Sequence, residues 1–333
     1  MTRRLLLSVA AFCASLLLLE LYCQRQPLDR VQRVMQMSNR TLRMIGDVPV
    51  WKFNSPVDER VANAECLDTA QNGPDVYLVG DSIFFGVKLD PEDTLGPRLQ
   101  SLLTTGLQRD ACVVNLSQPG FSFFNEEAVL REAVAERKPR VVVLELWGNS
   151  PNRLQMIKGV AYNFGSMATD EHGFPNPGVS PDLNRWLFGS SALWRHLSTG
   201  LAKHASRSSK DVWRDFVNED LEPFRVWLEG NGIELVLAYA TSLKTPFSDG
   251  RPVENMGYGS VRSWAQKHGI AEVVFSEVFA NEDPTAIGID ACCHLNEEGT
   301  RMISEAIAVP LMALLQPDAA RDPAVEAPIL QAD

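Results

Sequence analysis

The chain of 333 residues lacks the features of several large functional classes. It has no Lys/Arg-rich run in its body and a net charge of -11, so a basic surface for nucleic acid is not expected. Neither G-x-x-x-x-G-K-[ST] nor G-x-G-x-x-G occurs, and a loop that cradles a nucleotide cofactor is therefore not predicted. The six cysteines form no paired C-x-x-C motifs of the kind that hold zinc. We expect no nucleic acid partner, no cofactor and no metal.

An apolar segment opens the chain. Arg3 and Arg4 precede an uncharged, mostly apolar run from Leu5 to Leu19, which Glu20 then interrupts. Such a segment is typical of a signal peptide or a short membrane anchor, and the leading arginines favour export of the remainder. No clear small-x-small cleavage motif follows. Residues 1–23 are therefore predicted to remain as a membrane anchor, with the rest periplasmic or on the cell surface; cleavage would make it secreted. A buried core helix is the alternative.

Residues 24–75 are predicted to connect this segment to the main domain. The helical spacing of apolar residues from Leu28 to Ile45 predicts a juxtamembrane helix. An exported setting permits disulfides, but the spacing does not determine which bridges form among Cys66, Cys112, Cys292 and Cys293. At the other end, the tail over 317–333 is rich in Ala, Pro and Asp, which predicts disorder.

Short apolar runs alternate with amphipathic segments through the rest of the chain. The five runs are VYLVG, ACVVNLS, RVVVLELW, IELVLAYA and AEVVFSEV, and such runs are typical of a parallel sheet covered on both faces. The sequence predicts a doubly wound α/β domain over residues 76–316, with a mostly parallel five-stranded sheet. Residues 151–209 break the alternation and are predicted to form an insertion. It is either a lid or substrate wall or a peripheral helical hairpin whose tryptophans are core.

Residues that can carry chemistry follow the predicted strands. Ser82 comes just after the first strand, Gly120 after the second and Asn149 after the third, while Asp290 and His294 precede the last helix. Sites in such sheets form outside the carboxyl ends of the strands. Nucleophilic acyl transfer needs an alcohol, a base and donors for an oxyanion. A serine, a histidine oriented by an aspartate, and amide donors from a glycine and an asparagine meet these needs.

Four blocks occur in a fixed order: GDSIFFG, NLSQPG, LWGNS and DACCHLN. With them the chain resembles the SGNH, or GDSL-type, serine hydrolases over residues 76 to about 315. The resemblance implies a flavodoxin-like three-layer α/β/α sandwich that acts on esters without a metal or cofactor. It also implies Ser82 as nucleophile, His294 as base with Asp290, and an oxyanion hole made by Ser82, Gly120 and Asn149.

The blocks depart from the family pattern at two positions. Ser150 follows Asn149 where the family usually has an aspartate, whose role is mainly structural. Asp290 lies four residues before His294 instead of three, so their pairing depends on how the loop accommodates the extra residue.

Single residues have simpler alternative interpretations. Ser82 can cap the helix that follows it. Cys292 and Cys293, beside His294, are an alternative nucleophile, although their place before the base favours packing or a disulfide, for example to Cys66. No role is predicted for His172, His196, His204 or His268.

The sequence therefore predicts an exported, membrane-anchored serine esterase. Its substrates are expected to be acetyl or acyl esters of envelope glycans or lipids, cleaved through an acyl-serine intermediate. One alternative is an O-acetyltransferase that passes the acyl group to a cell-surface polysaccharide with the help of a membrane partner. Another is a binding domain that keeps the fold without the activity. The fold alone does not select among these three functions.

Overall fold

The structure is a computed structural model. It describes residues 2–25, 32–34, 40–46, 48–53, 62–68, 70, 73–152, 154–157, 160–164, 167, 169–170, 173–204, 208–243, 258–290 and 292–316. The tail that is predicted to be disordered, 317–333, lies outside these residues.

The strands of the described part fall into one central sheet and two small ones. They are β1 (Gln32–Val34), β2 (Arg40–Ile45), β3 (Val48–Phe53), β4 (Val76–Val79), β5 (Val113–Asn115), β6 (Val141–Leu146), β7 (Leu154–Ile157), β8 (Val160–Asn163), β9 (Glu234–Tyr239) and β10 (Ala271–Val274). The central sheet has the order β10-β9-β6-β4-β5, and each of its strand pairs is parallel. The predicted five-stranded parallel sheet is confirmed.

The helices of the described part flank this sheet. They are α1 (Thr2–Arg25), α2 (Ser82–Phe85), α3 (Leu95–Leu107), α4 (Phe123–Glu136), α5 (Pro181–Ser190), α6 (Ala192–His204), α7 (Ser209–Phe216), α8 (Glu222–Gly230), α9 (Gly259–Lys267), α10 (Phe275–Val278), α11 (Pro284–Ile287) and α12 (Glu297–Leu315). A π-helical turn, Val217–Leu221, joins α7 to α8. Pro223 has no N–H to donate, which accounts for the break in the regular helical ladder there.

Alternate residues of the central strands pack into two separate apolar cores. On β4, Val76 and Leu78 belong to one core, which also contains the buried faces of α3 and α12. Tyr77 and Val79 belong to the other core, with the buried faces of α4, α7, α8 and α9. Both faces of the sheet are thus covered, because successive side chains of a strand point to opposite faces. The result is a three-layer α/β/α sandwich.

The predicted juxtamembrane helix over Leu28–Ile45 is wrong for the residues that the structure describes. Gln32–Val34 and Arg40–Ile45 are strands, and the latter pairs antiparallel with β3. Gly46 turns the hairpin with a φ of 58°, a conformation that favours glycine. Burial of β3 against α4 decides the outcome, because Val50 and Trp51 pack in one cluster with Ala128 of α4. The Trp51 indole N–H also donates to the carbonyl of Pro119 over 3.1 Å. Tertiary packing here overrides a weak helical spacing.

The N-terminal segment forms a helix, α1, whose C-terminal end contacts α6. The Glu20 carboxylate accepts the N–H groups of Ala192 at 2.7 Å and Leu193 at 2.9 Å, together with the Ser191 hydroxyl at 2.8 Å. Partial burial raises the pKa of Glu20, but these hydrogen bonds outweigh it and lower the pKa to about 2. The residue that interrupts the apolar run therefore satisfies the free N–H groups at the start of another helix.

The predicted membrane anchor is not supported. Across the residues that the structure describes, no helix combines the length and the apolar character that crossing a bilayer requires.

The insertion over 151–209 contains a strand hairpin followed by two helices. β7 and β8 pair antiparallel, and β1 adds to β8. Tyr162, Phe164, Phe174 and Phe188 form a small core of their own, against which Trp194 packs. Of the tryptophans that the hairpin alternative places in the core, Trp194 packs against this cluster, whereas Trp186 is 66% exposed. The role of the insertion as a lid stays a prediction.

One disulfide joins Cys66 to Cys112 at the start of β5. The suggested bridge from Cys66 to the cysteines beside His294 is wrong, because Cys292 and Cys293 are free.

We expect Glu20→Ala to loosen the contact between α1 and α6. Loss of a group that satisfies helix N-terminal N–H groups typically costs about 0.5–2 kcal/mol, so the amides of Ala192 and Leu193 should exchange hydrogen faster. Glu20→Gln keeps an acceptor oxygen at the same position and is the matched control. Unchanged exchange in the alanine variant would show that Glu20 does not hold the start of α6.

Candidate active site

Ser82 is the first residue of α2, directly beyond the carboxyl end of β4. The cap of this helix is Asp81, whose Oδ1 accepts the Ile83 N–H at 3.0 Å. The interpretation of Ser82 as the cap is therefore wrong. The helix ends after one turn at Gly86, whose φ of 75° is left-handed. The Ser82 hydroxyl is half-buried and lies 3.4 Å from the Asp81 Oδ1, a long contact that leaves room for a closer partner.

That partner is His294, 212 residues further along the chain. Its Nε2 lies 3.0 Å from the Ser82 Oγ, and its Nδ1 lies 2.5 Å from the Asp290 Oδ2. Both distances are within hydrogen-bond reach. The structure thus brings together the three residues for which the sequence predicts the roles of nucleophile, base and orienting carboxylate.

The loop that carries Asp290 and His294 accommodates its additional residue without separating the pair. An isolated bridge between Gly288 and Leu295 closes the loop at its base, and the Ile289 N–H donates to the His294 carbonyl at 2.9 Å. Asn296 then caps α12 by accepting the Gly299 N–H at 3.0 Å. The loop is thus fixed at both ends, and Asp290 stays in contact with His294.

The Asp290 carboxylate is held from both of its oxygens. Oδ2 faces the imidazole, while Oδ1 accepts the backbone N–H groups of Cys292 at 2.9 Å and Cys293 at 3.2 Å. Desolvation raises the pKa of Asp290, but the hydrogen bonds from His294 and the two amides outweigh it, and the pKa lies well below its ordinary value. Asp290 is therefore ionised at neutral pH and suited to stabilise a protonated imidazole.

The second block places Gly120 in a tight turn. Its φ is 85°, which only glycine adopts readily. The turn is tied to the nucleophile block because the Gln118 N–H donates to the Gly80 carbonyl at 3.2 Å, and the Phe121 N–H returns to the Gln118 carbonyl at 3.1 Å. The backbone N–H groups of Gly120 and Ser82 have no hydrogen-bond partner within the described residues. Free amides of this kind can serve as oxyanion donors.

The third block is linked to the second through Asn149. Its side-chain Nδ2 donates to the Phe121 carbonyl at 3.0 Å, which occupies one N–H and leaves the other, since an amide carries two. Ser150 stands where the family has an aspartate. Its Oγ accepts the Trp147 N–H at 2.9 Å, and its N–H donates to the Trp147 carbonyl at 2.9 Å. Ser150 thereby closes the turn that positions Asn149.

Sequence reasoning missed a buried carboxyl group directly behind the nucleophile. Glu145 points from β6 beneath the first block, where its Oε2 accepts the N–H groups of Asp81 and Phe84, both at 3.1 Å. A side chain at Gly80 would collide with this carboxyl, so the glycine of the block is required by packing. The sequence signal was present: Glu145 is the one charged residue within the apolar run VVVLEL.

Three carboxyl groups, those of Glu145, Glu126 and Asp81, influence one another in this buried region. Burial raises the pKa of Glu145 well above its ordinary value, and the neighbouring Asp81 and Glu126 raise it further. Burial likewise raises the pKa of Glu126, with Asp81 contributing. Burial, together with the charge repulsion among these neighbouring carboxyls, therefore favours the protonated forms of Glu145 and Glu126.

The described residues contain no group of three or more His, Cys, Asp and Glu side chains arranged to hold a metal ion. The expectation of a reaction without metal or cofactor stays a prediction. Of the histidines with no predicted role, His196 contacts the Cys23 carbonyl and His268 lies 3.5 Å from Glu222. His172 lies outside the described residues.

We expect the free energy of unfolding to fall as pH rises above about 5, because of the buried carboxyls. A raised pKa means that the folded state keeps a proton that the unfolded chain has lost, and stability then falls by up to about 1.4 kcal/mol per pH unit for each such group. Glu145→Gln, which resembles the protonated form, should flatten this slope in urea titrations.

The matched control is Glu234→Gln at the exposed first residue of β9, which should leave the slope unchanged. A wild-type slope that Glu145→Gln fails to reduce would contradict the protonated state of Glu145.

No family model matches the chain, and no curated protein matches it. Among solved structures, it is similar to a member of the lipolytic G-D-S-L family from Veillonella parvula, with 13% identity over 69% of this chain and 94% of that one, at a TM-score of 0.41. It is also similar to the lipase/acylhydrolase from Enterococcus faecalis, with 12% identity over 73% and 98%, at a TM-score of 0.43. A third is the acetyl xylan esterase AlAXEase, with 16% identity over 70% and 96%, at a TM-score of 0.42.

The chain thus resembles GDSL-type hydrolases both in its sequence blocks and among solved structures. Its activity depends on the geometry of the site itself.

Proposed function

We propose that this protein is a serine esterase in which Ser82 is the nucleophile and His294 the general base. The observation that carries the proposal is the unbroken line of contacts from the Ser82 Oγ to the His294 Nε2, at 3.0 Å, and from the His294 Nδ1 to Asp290, at 2.5 Å. A serine hydroxyl is a weak nucleophile unless an adjacent base removes its proton. This arrangement supplies the base and fixes its orientation.

The reaction follows from these contacts. As the Ser82 Oγ bonds to the ester carbonyl carbon, its proton passes to the His294 Nε2, and Asp290 stabilises the resulting imidazolium. The carbonyl oxygen becomes an oxyanion, for which the amides of Ser82 and Gly120 and the free N–H of Asn149 are the proposed donors. Collapse expels the alcohol with the proton from His294 and leaves an acyl-serine. Water, deprotonated by His294, then releases the acid and restores Ser82.

We further propose that the reaction takes place outside the cytoplasm. The Cys66–Cys112 disulfide supports this, because such bonds persist mainly in oxidising compartments. The leading Arg3 and Arg4 and the apolar run behind them point the same way. Acetyl or acyl esters of envelope glycans or lipids are the substrates that this location would offer.

Ser82→Ala should abolish labelling by a fluorophosphonate probe and release of nitrophenol from para-nitrophenyl acetate. Loss of a nucleophile or base typically lowers kcat by about 10⁴–10⁶, and we expect His294→Gln to do the same. Controls of the same type are Ser101→Ala, on the exposed side of α3, and His268→Gln. If the folded wild-type protein is neither labelled nor active, the esterase proposal is wrong, and a binding or transferase function takes its place.

Asp290→Asn should lower kcat on the same ester by about 10²–10⁴, with little change in KM. The amide lacks the charge that stabilises the imidazolium, so proton transfer from Ser82 becomes harder. Asp283→Asn is a matched control, since Asp283 also accepts a local backbone N–H, that of Thr285, but belongs to the α11 cap. An unchanged kcat in Asp290→Asn would assign proton transfer to Ser82 and His294 alone.

A further inference from the structure

Two adjacent cysteines lie within the loop that carries the proposed acid–base pair. The Cys292 and Cys293 sulfur atoms are 2.8 Å apart. Cys292 is exposed, whereas Cys293 is 5% exposed and packs into the core between the sheet and α12. The mechanism above uses neither thiol. One reachable sulfur in contact with one protected sulfur is an arrangement that favours oxidation between the two.

The distance to a covalent bond is short. A disulfide has an S–S length of about 2.05 Å, so the sulfur atoms at 2.8 Å need to approach by about 0.8 Å. The Cα atoms of neighbouring residues are about 3.8 Å apart, below the usual disulfide range of about 4.4–6.8 Å. A bond between neighbours is therefore strained, and strained, exposed disulfides are the easily reduced ones. Such a bond is suited to form and break reversibly.

The backbone of the same two residues holds the Asp290 carboxylate. Both N–H groups donate to its Oδ1, and the peptide that joins the two cysteines carries the N–H of Cys293. The loop is also fixed on its other side, because the Cys292 carbonyl accepts the Leu243 N–H at 2.8 Å. A disulfide between the two side chains would close a small ring that includes the connecting peptide. Forming this ring rotates that peptide, while the hydrogen bonds to Asp290 and from Leu243 hold it in its present orientation. The contact from Cys293 to Asp290 is then weakened, and with it the support of His294.

We propose that Cys292 and Cys293 form a reversible thiol-oxidation site, and that the closed disulfide slows ester hydrolysis by displacing Asp290 from His294. The effect on rate rests on the proposed esterase function; the oxidation site itself does not.

The oxidant is a low-molecular-weight disulfide such as glutathione disulfide. The exposed Cys292 attacks it as the thiolate, forms a mixed disulfide and releases one glutathione thiolate. The Cys293 sulfur then attacks the Cys292 sulfur, closes the ring and expels the second glutathione. Two protein thiols lose two electrons and two protons, and one glutathione disulfide becomes two thiols. Cys292 attacks first because it is the exposed thiol, whereas burial and the contact with Cys292 raise the pKa of Cys293.

The test treats the full-length protein either with glutathione disulfide or with dithiothreitol and measures kcat on para-nitrophenyl acetate. For each variant, the result is the ratio of kcat in the oxidised protein to kcat in the reduced protein. For the wild type, we expect the peptide that contains both cysteines to be lighter by the mass of two hydrogen atoms after oxidation than after reduction. We expect kcat to fall by about 10- to 100-fold, the effect of losing a hydrogen bond to a charged group, and to recover on reduction. In Cys292→Ser and in Cys293→Ala the ratio should stay near one.

Four outcomes would overturn the proposal. Thiols that remain free, or a glutathione adduct that never closes, would exclude the ring. A ring that forms without a change in kcat would exclude its effect on Asp290. A loss of activity that persists in Cys292→Ser would assign the response to the other cysteines, Cys66 and Cys112 included. If the reduced protein hydrolyses no ester, the proposed function fails, while the peptide mass still decides whether the oxidation site exists.

Discussion

The carboxyl group of Glu145 lies inside the sandwich and holds two backbone N–H groups of the turn that carries Ser82. A buried carboxyl is costly unless it is hydrogen-bonded. Here the Oε2 accepts both N–H groups, and burial raises the pKa of Glu145, which favours its neutral form. It occupies the space next to Gly80 that a side chain would need. The position of the nucleophile therefore depends on the neighbouring strand β6 as much as on its own strand β4.

The remaining parts of the site reach Ser82 from separate elements. The turn at Gly120 is tied to the first block through the Gly80 carbonyl, and Asn149 is tied to that turn through the Phe121 carbonyl. His294 arrives from the opposite end of the chain, on a loop closed by the bridge between Gly288 and Leu295. Each block thus positions the next through backbone hydrogen bonds. Parallel strands make this arrangement possible, because their carboxyl ends share one edge of the sheet.

The elements outside the sandwich are held by polar contacts at their ends. Glu20 joins α1 to the first turn of α6, and the indole of Trp51 joins the β2–β3 hairpin to the loop that precedes Gly120. The first contact connects the N-terminal helix to the insertion, and the second connects the hairpin to the domain that contains the site. They involve residues far apart in the chain, and none of them follows from local sequence pattern.

Much of the architecture was predictable from the sequence, since five buried strands read as continuous apolar runs and the helices between them as amphipathic segments. The identity of Ser82, Gly120, Asn149, Asp290 and His294 as a group was also predictable, because each follows a strand or precedes the last helix. The distances between these residues were not predictable from the sequence. In particular, whether Asp290 could reach His294 across one extra residue depended on how the loop is fixed at both ends.

Only the tertiary structure decided the remaining features. Residues 40–45 have an apolar spacing compatible with a helix. They form a strand because they pair with β3, and the resulting hairpin packs against α4. The choice of Asp81 as the helix cap, the contact between Cys292 and Cys293, and the place of Glu145 beneath the nucleophile turn likewise depend on neighbours distant in sequence. Local pattern reports burial and periodicity, whereas hydrogen-bond partners and charge states are set by which distant groups the fold brings within about 3 Å of each other.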